Sequence, residues 1–347
     1  MLNLYKLRKI EFPKDFIWGS ATAGHQIEGG NVNSNQWHAE LTDPVTYLEP
    51  SGMACNSYAL YKEDIELLKQ LGHQAYRFSI EWSRIQPRED IIDDAALAHY
   101  QDMLDRLKAA GIKTSVTLHH YTHPQWFEEK GGWKKRENLK FFLQYLEFLV
   151  PKIADRVDSW CVLNEFNMRD IKNPDHKLNM LKAHGFGYRI IKQYSNAPVS
   201  SAHAFLHEAP KRPRDFMDNA MADFLDWSNN EFFFHAVRTG EIVFPFRDME
   251  YVPELKDSCD FWAVNFYNRH VIDARSAGGK ARPFDFNRYR TVDADFYNCE
   301  FTPESFMVNL SRLNDKPIHI TENGFCAEDD RFRIISLALN LSALHEA

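Results

Sequence analysis

The chain has 347 residues, with 41 Lys and Arg against 49 Asp and Glu for a net charge of −8, and is 44% hydrophobic and 26% charged. That balance belongs to globular proteins and excludes a disordered or fibrous chain. It also argues against nucleic acid or an anionic membrane as partner, because affinity for either rests on clustered positive charge. The length suits one large α/β barrel over residues 1–347 better than two small domains.

The five cysteines (Cys55, Cys161, Cys259, Cys299, Cys326) are odd in number, widely spread and free of any C-x-x-C pair. Neither a disulfide framework nor a zinc knuckle is expected. The N-terminus lacks a continuous apolar run with a small-residue cleavage site, and no stretch of 18 apolar residues occurs. These features predict a cytoplasmic protein.

In chain order, the first strand is expected at Phe16 to Ala21. Tyr58, Tyr61, Ile65, Leu68 and Leu71 then recur at spacings of three and four, ending at Gly72, as in a helix closed by a left-handed glycine. In the next strand, Gln74 to Glu81, Tyr76, Phe78 and Ile80 lie on one face and Arg77, Ser79 and Glu81 on the other. That polar face has to meet something other than a helix. Asp93 and Asp94 are N-cap candidates for a helix carrying Leu97, Tyr100, Leu104 and Leu107, which stops at Gly111 before a strand from Ile112 to His119.

The same rhythm predicts helices over about 138–155, 178–194 and 218–237, with strands at Ser159 to Glu165, Pro198 to Phe205 and Phe261 to Phe266. Residues Tyr267 to Phe301 form a long connection expected to be a functional loop. A short helix at Glu304 to Leu313, a strand at Pro317 to Glu322 and a last helix with Ile334, Leu337, Leu341 and Leu344 on one face complete seven strand-helix units. No glycine-rich nucleotide fingerprint follows the first strand; Gly185-Phe-Gly187, the nearest match, lies in a helical pattern. The fold class is therefore α/β, a (β/α)8 TIM barrel represented by seven units, with its chemistry at the C-terminal strand ends.

Two predicted strands end in a glutamate beside an asparagine: C-V-L-N-E, with Asn164 and Glu165, and I-T-E-N-G, with Glu322 and Asn323. A pair of carboxyls at one barrel mouth is what glycoside hydrolysis needs, since one protonates the leaving oxygen while the other attacks or activates water. His119, His120 and His123 invite a metal reading, but adjacent residues on a strand point to opposite faces, so no metal or other cofactor is expected.

The motifs F-P-K-D-F-I-W-G-S-A-T-A-G-H-Q-I-E-G, Y-R-F-S-I-E-W-S-R-I-Q-P, T-L-H-H-Y-T-H-P-Q-W, L-N-E-F-N, D-F-W-A-V-N-F-Y and I-T-E-N-G follow one another over residues 12 to 324. In that order the sequence resembles family 1 glycoside hydrolases, the β-glucosidase family. The resemblance implies a retaining β-glycosidase acting on a small β-glycoside or oligosaccharide. It implies Glu165 as acid/base and Glu322 as nucleophile, with Arg77 keeping the nucleophile ionised and Tyr267 hydrogen-bonding it. Gln26, His120, Tyr121 and Asn164 fall at substrate-binding positions. Phe166 stands where the family usually has Pro, and Tyr121 where it usually has Trp.

The sequence runs only 25 residues past Glu322, too few for an eighth strand and helix of average length, roughly 17 residues before loops, beyond the seventh helix. On this reading the barrel is truncated, and in the family the eighth-strand segment supplies further sugar contacts. Two alternatives accompany the glycosidase: a catalytically silent relative that binds carbohydrate or protein, and a 6-phospho-β-glycosidase using Arg275, Lys280, Arg282, Arg288 and Arg290. Oligomeric state is undetermined by the sequence.

Overall fold

The computed structural model describes residues 9–47, 49–168, 174–276, 280–281, 291–292, 299–326 and 329–347, with the side chains of 280, 281, 291, 292 and 299 left aside. Seven strands form one parallel sheet: β1 (Gly19–Ala21), β2 (Ala75–Ser79), β3 (Lys113–Thr117), β4 (Ser159–Asn164), β5 (Val199–Ala204), β6 (Trp262–Asn265) and β7 (Ile318–Glu322). Their order in the sheet is their order in the chain. Each expected strand is present, shortened by up to three residues at an end, where the backbone leaves the ladder for a turn. The sheet is a nearly closed TIM barrel in which β1 and β7 are the edges of an open seam among the described residues.

Parity along the strands sorts side chains between helix layer and barrel interior. On β2, Tyr76 and Phe78 pack into the main apolar core under the helices, while the Arg77 guanidinium crosses the interior to reach Thr117 of β3. Ala75, Arg77 and Ser79 sit opposite Lys113, Ser115 and Thr117 in register. The interior is lined by small and polar residues, which leaves room for one long cation at the level where the strands end.

The helices that follow β1 to β4 are α1 (Ser57–Gln70), α2 (Asp94–Ala109), α3 (Leu139–Ile153) and α4 (Pro174–Tyr194). Asp93 caps α2 as expected, accepting from the amides of Ala95 at 2.9 Å and Ala96 at 3.0 Å, and Gly111 closes it in the left-handed region at φ 72°. On α3, Phe142, Leu146, Leu149 and Val150 are fully buried. Gly187 of α4 lies so close to the sheet that a Cβ there would meet Val162 Cγ1 at 2.8 Å and Leu146 Cδ1 at 3.0 Å. None of the helices among the described residues is long and apolar enough to cross a membrane.

Three features differ from the expectation. The helix expected over 218–237 is divided into α5 (Phe216–Asp226) and α6 (Phe232–Thr239) by a π-helical turn, Trp227–Glu231. The wide turn lets Asn230 donate to the carbonyl of Leu206 at 2.9 Å, an inward reach that a regular helix would not allow. In the connection after β6, Arg269–Ile272 pairs in parallel with His207–Pro210, the segment following β5. That connection therefore begins as a second small sheet above the barrel; residues 277–279, 282–290 and 293–298 lie outside the described residues.

The third difference is on the last helix, α8 (Asp330–Glu346), which follows α7 (Pro303–Leu310) and β7. Its buried residues are Ser336, Asn340 and Ala343, whereas Ile334 is 54% exposed. On the buried face Asn340 Nδ2 donates at 3.4 Å to Asn323 Oδ1, just beyond β7. Near the other end of the seam Phe12 packs at once on Trp18, ahead of β1, and on His345 of α8, with ring centroids 5.1 and 5.6 Å apart.

The core argument yields a stability prediction. Leu146→Ala removes a fully buried side chain from the α3–α4–β4 junction and is expected to lower the unfolding free energy by roughly 2–5 kcal/mol. Ala substitution of the capping Asp93 is expected to cost about 1 kcal/mol. Urea denaturation of the two variants checks the order.

Candidate active site

The C-terminal ends of β2, β3, β4, β6 and β7 deliver polar side chains into one small volume. At its centre is Arg77, 4% exposed. Its Nη1 donates to Glu322 Oε1 at 2.6 Å and its Nη2 to Asn164 Oδ1 at 2.7 Å. Nε donates to Thr117 Oγ1 at 3.0 Å, and Nη1 also faces the carbonyl of Thr321 at 3.4 Å. Strand parity put this cation inside the barrel, and the structure shows where its bonds end.

A guanidinium has donors and no acceptor, so it dictates the orientation of everything bonded to it. Asn164 has to turn its oxygen toward Arg77 and its amide nitrogen toward His120 Nε2, 3.2 Å away. His120 is thus an acceptor at Nε2, in keeping with a neutral imidazole: burial, then the charge of Arg77, hold it well below the ordinary histidine range. Its Nδ1 is buried without a hydrogen-bond partner among the described residues.

Asn265 completes the chain of bonds. Its Nδ2 donates to Asn164 Oδ1 at 3.1 Å and to Glu165 Oε1 at 2.9 Å, while its Oδ1 accepts from Thr321 Oγ1 at 2.7 Å. Both Asn164 and Asn265 are 1% exposed. The sequence reading quoted the motif containing Asn265 without singling it out; an amide at a strand end, with the parity of Ala263 inside the barrel, was the available signal.

Glu165 and Glu322 therefore meet in one site but in opposed surroundings. Glu322 accepts from a cation and from the Tyr267 hydroxyl, the latter at 2.7 Å. Among the described residues Glu165 accepts only from neutral donors, Asn265 at Oε1 and the Tyr121 hydroxyl at Oε2. Burial, followed by the negative charge of Glu322, raises the pKa of Glu165 above the usual carboxylic range. Tyr121 and Glu165 both adopt left-handed backbone, with φ of 64° and 46°, a conformation that non-glycine residues keep where the surroundings enforce it, commonly at active sites.

Of the eight residues singled out in the sequence, seven are joined by these bonds. Gln26 is the eighth: it lies just beyond β1 and is exposed, with no side-chain hydrogen bond to the cluster. His119 and His120 do diverge, His119 Nε2 turning away toward His123 Nδ1 and the Trp133 indole, each at 3.3 Å. Of the basic residues considered for a phosphate, Arg275 is bonded to Asp215, and Arg282, Arg288 and Arg290 lie outside the described residues, as does the side chain of Lys280.

Comparison with known proteins identifies the family. The model for Glycosyl hydrolase family 1 matches residues 8–336. The chain belongs to glycosyl hydrolase family 1. Beta-glucosidase A of Thermotoga maritima is 28% identical over 364 aligned positions, covering 92% of this chain and 79% of the relative. Among solved structures, a beta-glucosidase from Exiguobacterium marinum superposes with a TM-score of 0.86 at 27% identity, over 97% of this chain and 86% of that one. A beta-glycosidase from Pyrococcus horikoshii gives 0.82 at 29% identity, over 96% and 81%.

In this family 1 chain the Arg77–Glu322 pair is the electrostatic centre, with side chains 5% and 15% exposed. Arg77→Met leaves the carboxylate without its cation and Asn164 without its orienting donor. The expected loss of unfolding free energy is roughly 3–5 kcal/mol, measured by urea titration. Combining it with Glu322→Gln is expected to restore part of that loss, because the uncompensated charge is gone.

Proposed function

We propose that this family 1 glycosyl hydrolase is a retaining β-glycosidase in which Glu322 is the nucleophile and Glu165 the acid/base. One observation carries the reading: the two carboxyls share a site, yet one is bound by a guanidinium while the other is surrounded by neutral donors and raised in pKa by burial. Environments that drive two carboxyls apart divide them into a base or nucleophile and an acid.

In the first step Glu165 gives its proton to the glycosidic oxygen as Glu322 attacks the anomeric carbon from the opposite face, forming a glycosyl-enzyme ester. Esterification removes the negative charge of Glu322, the second cause of the raised pKa of Glu165. The pKa of Glu165 then falls, so the carboxylate left by the proton transfer stays ionised and can take a proton from water as that water attacks the ester and releases Glu322. The anomeric configuration is inverted twice and so retained.

For the sugar, His120 and Asn164 offer polar edges at the site floor, and Gln26 an exposed amide just beyond β1. Relatives named β-glucosidase make a small β-glucoside or oligosaccharide the substrate class to assay first. The phosphorylated-sugar reading draws no support from Arg275, whose guanidinium is occupied by Asp215.

Glu322→Gly is expected to abolish hydrolysis of an aryl β-glucoside and, with azide added, to give the α-glycosyl azide. Glu165→Ala is expected to slow substrates with poor leaving groups far more than a dinitrophenyl glycoside, and to give the β-azide. Product analysis by proton NMR checks both, and full activity in either variant would remove the assignment. In the unmodified enzyme the first-formed sugar should be the β-anomer.

A further inference from the structure

The two oxygens of Glu165 have partners of different capability. Asn265 Nδ2, at Oε1, can only donate, and it cannot turn round: its own oxygen is held by Thr321 Oγ1 at 2.7 Å, and its nitrogen is also committed to Asn164 Oδ1. The Tyr121 hydroxyl, at Oε2, can donate or accept. A protonated Glu165 therefore finds an acceptor at Oε2 and none at Oε1. The left-handed backbone at both Tyr121 and Glu165 brings the two groups together.

We propose that Tyr121 is a positioning residue for the catalytic proton, placing it on Oε2 of Glu165 and holding the carboxylate left after its transfer. This rests on Glu165 being the acid. In the resting enzyme Oε2–H donates to the Tyr121 oxygen. As the proton passes to the glycosidic oxygen and that C–O bond breaks, the phenol keeps its own proton and turns to donate to Oε2. The family usually places Trp at this position, and an indole N–H can donate but never accept. The tyrosine thus gives this chain a two-way partner for its acid.

Donation to a carboxylate is stronger than donation to the neutral acid, so Tyr121 favours loss of the proton and works against burial and Glu322, consistent with its lowering contribution at Glu165. The other groups acting on Glu165 among the described residues are Glu322 from β7, Arg77 from β2 and Asn265 at the end of β6; all are retained when only Tyr121 is changed.

The test is the pH profile of kcat/KM on an aryl β-glucoside with a poor leaving group. Tyr121→Phe should move the basic limb to higher pH, leave the acidic limb in place and lower kcat more than it changes KM. Incorporating 3-fluorotyrosine at position 121, a stronger donor of nearly the same size, should move the basic limb to lower pH and serves where the Phe variant folds poorly. A basic limb unmoved by both replacements would overturn the proposal. Glu165→Gln separates the two levels: a basic limb that persists in it defeats the acid assignment itself, whereas its loss in Glu165→Gln with no movement in the Tyr121 variants defeats only the role of Tyr121.

Discussion

The donor-only character of one buried guanidinium orders this active site. Arg77 cannot accept a hydrogen bond, so Asn164 must present its oxygen and Glu322 its carboxylate. Asn164 in turn directs its nitrogen to His120 and leaves its oxygen to receive Asn265. Asn265 then has a nitrogen for Glu165 and an oxygen for Thr321. Seven residues, from four strands and the segments just beyond β3 and β4, thereby acquire a single mutual orientation that starts at the guanidinium. A lysine at position 77 would supply comparable charge without the planar fork that addresses Thr117, Glu322 and Asn164 together.

The same network separates the two carboxyls chemically. They share a small, partly water-excluded volume, where ionising both is costly. The guanidinium lies on the Glu322 side, whereas the amide and phenol bonded to Glu165 are both neutral. This asymmetry favours placing the cost of burial on Glu165. The barrel makes it possible: parallel strands end side by side at one face, so residues far apart in the chain, such as Arg77 and Glu322, meet without any long loop having to be ordered.

Around this rigid floor the fold uses less regular devices. The π turn between α5 and α6 sends Asn230 to the backbone just beyond β5, and the pairing of His207–Pro210 with Arg269–Ile272 builds a rim above the strands.

The sequence by itself determined the barrel and pointed to its candidate reacting groups. Alternation in β2, apolar spacing in α2 and α3, and glycines such as Gly111 are local signals, and strand-end glutamates at positions 165 and 322 are legible because this fold puts chemistry at strand ends. The motif order added the roles that the resemblance implies. What tertiary structure alone decided is less local. The rotation of α8 buries Asn340, turned toward Asn323, and exposes Ile334. The importance of Asn265 appears only once β4, β6 and β7 are brought to one barrel mouth. That Tyr121 reaches Glu165 follows from left-handed backbone at both residues, which neither side chain favours and no pattern of polarity encodes. Periodicity records which face a residue occupies; which partner it finds there is set by neighbouring strands, because hydrogen-bond direction is a property of the assembled site.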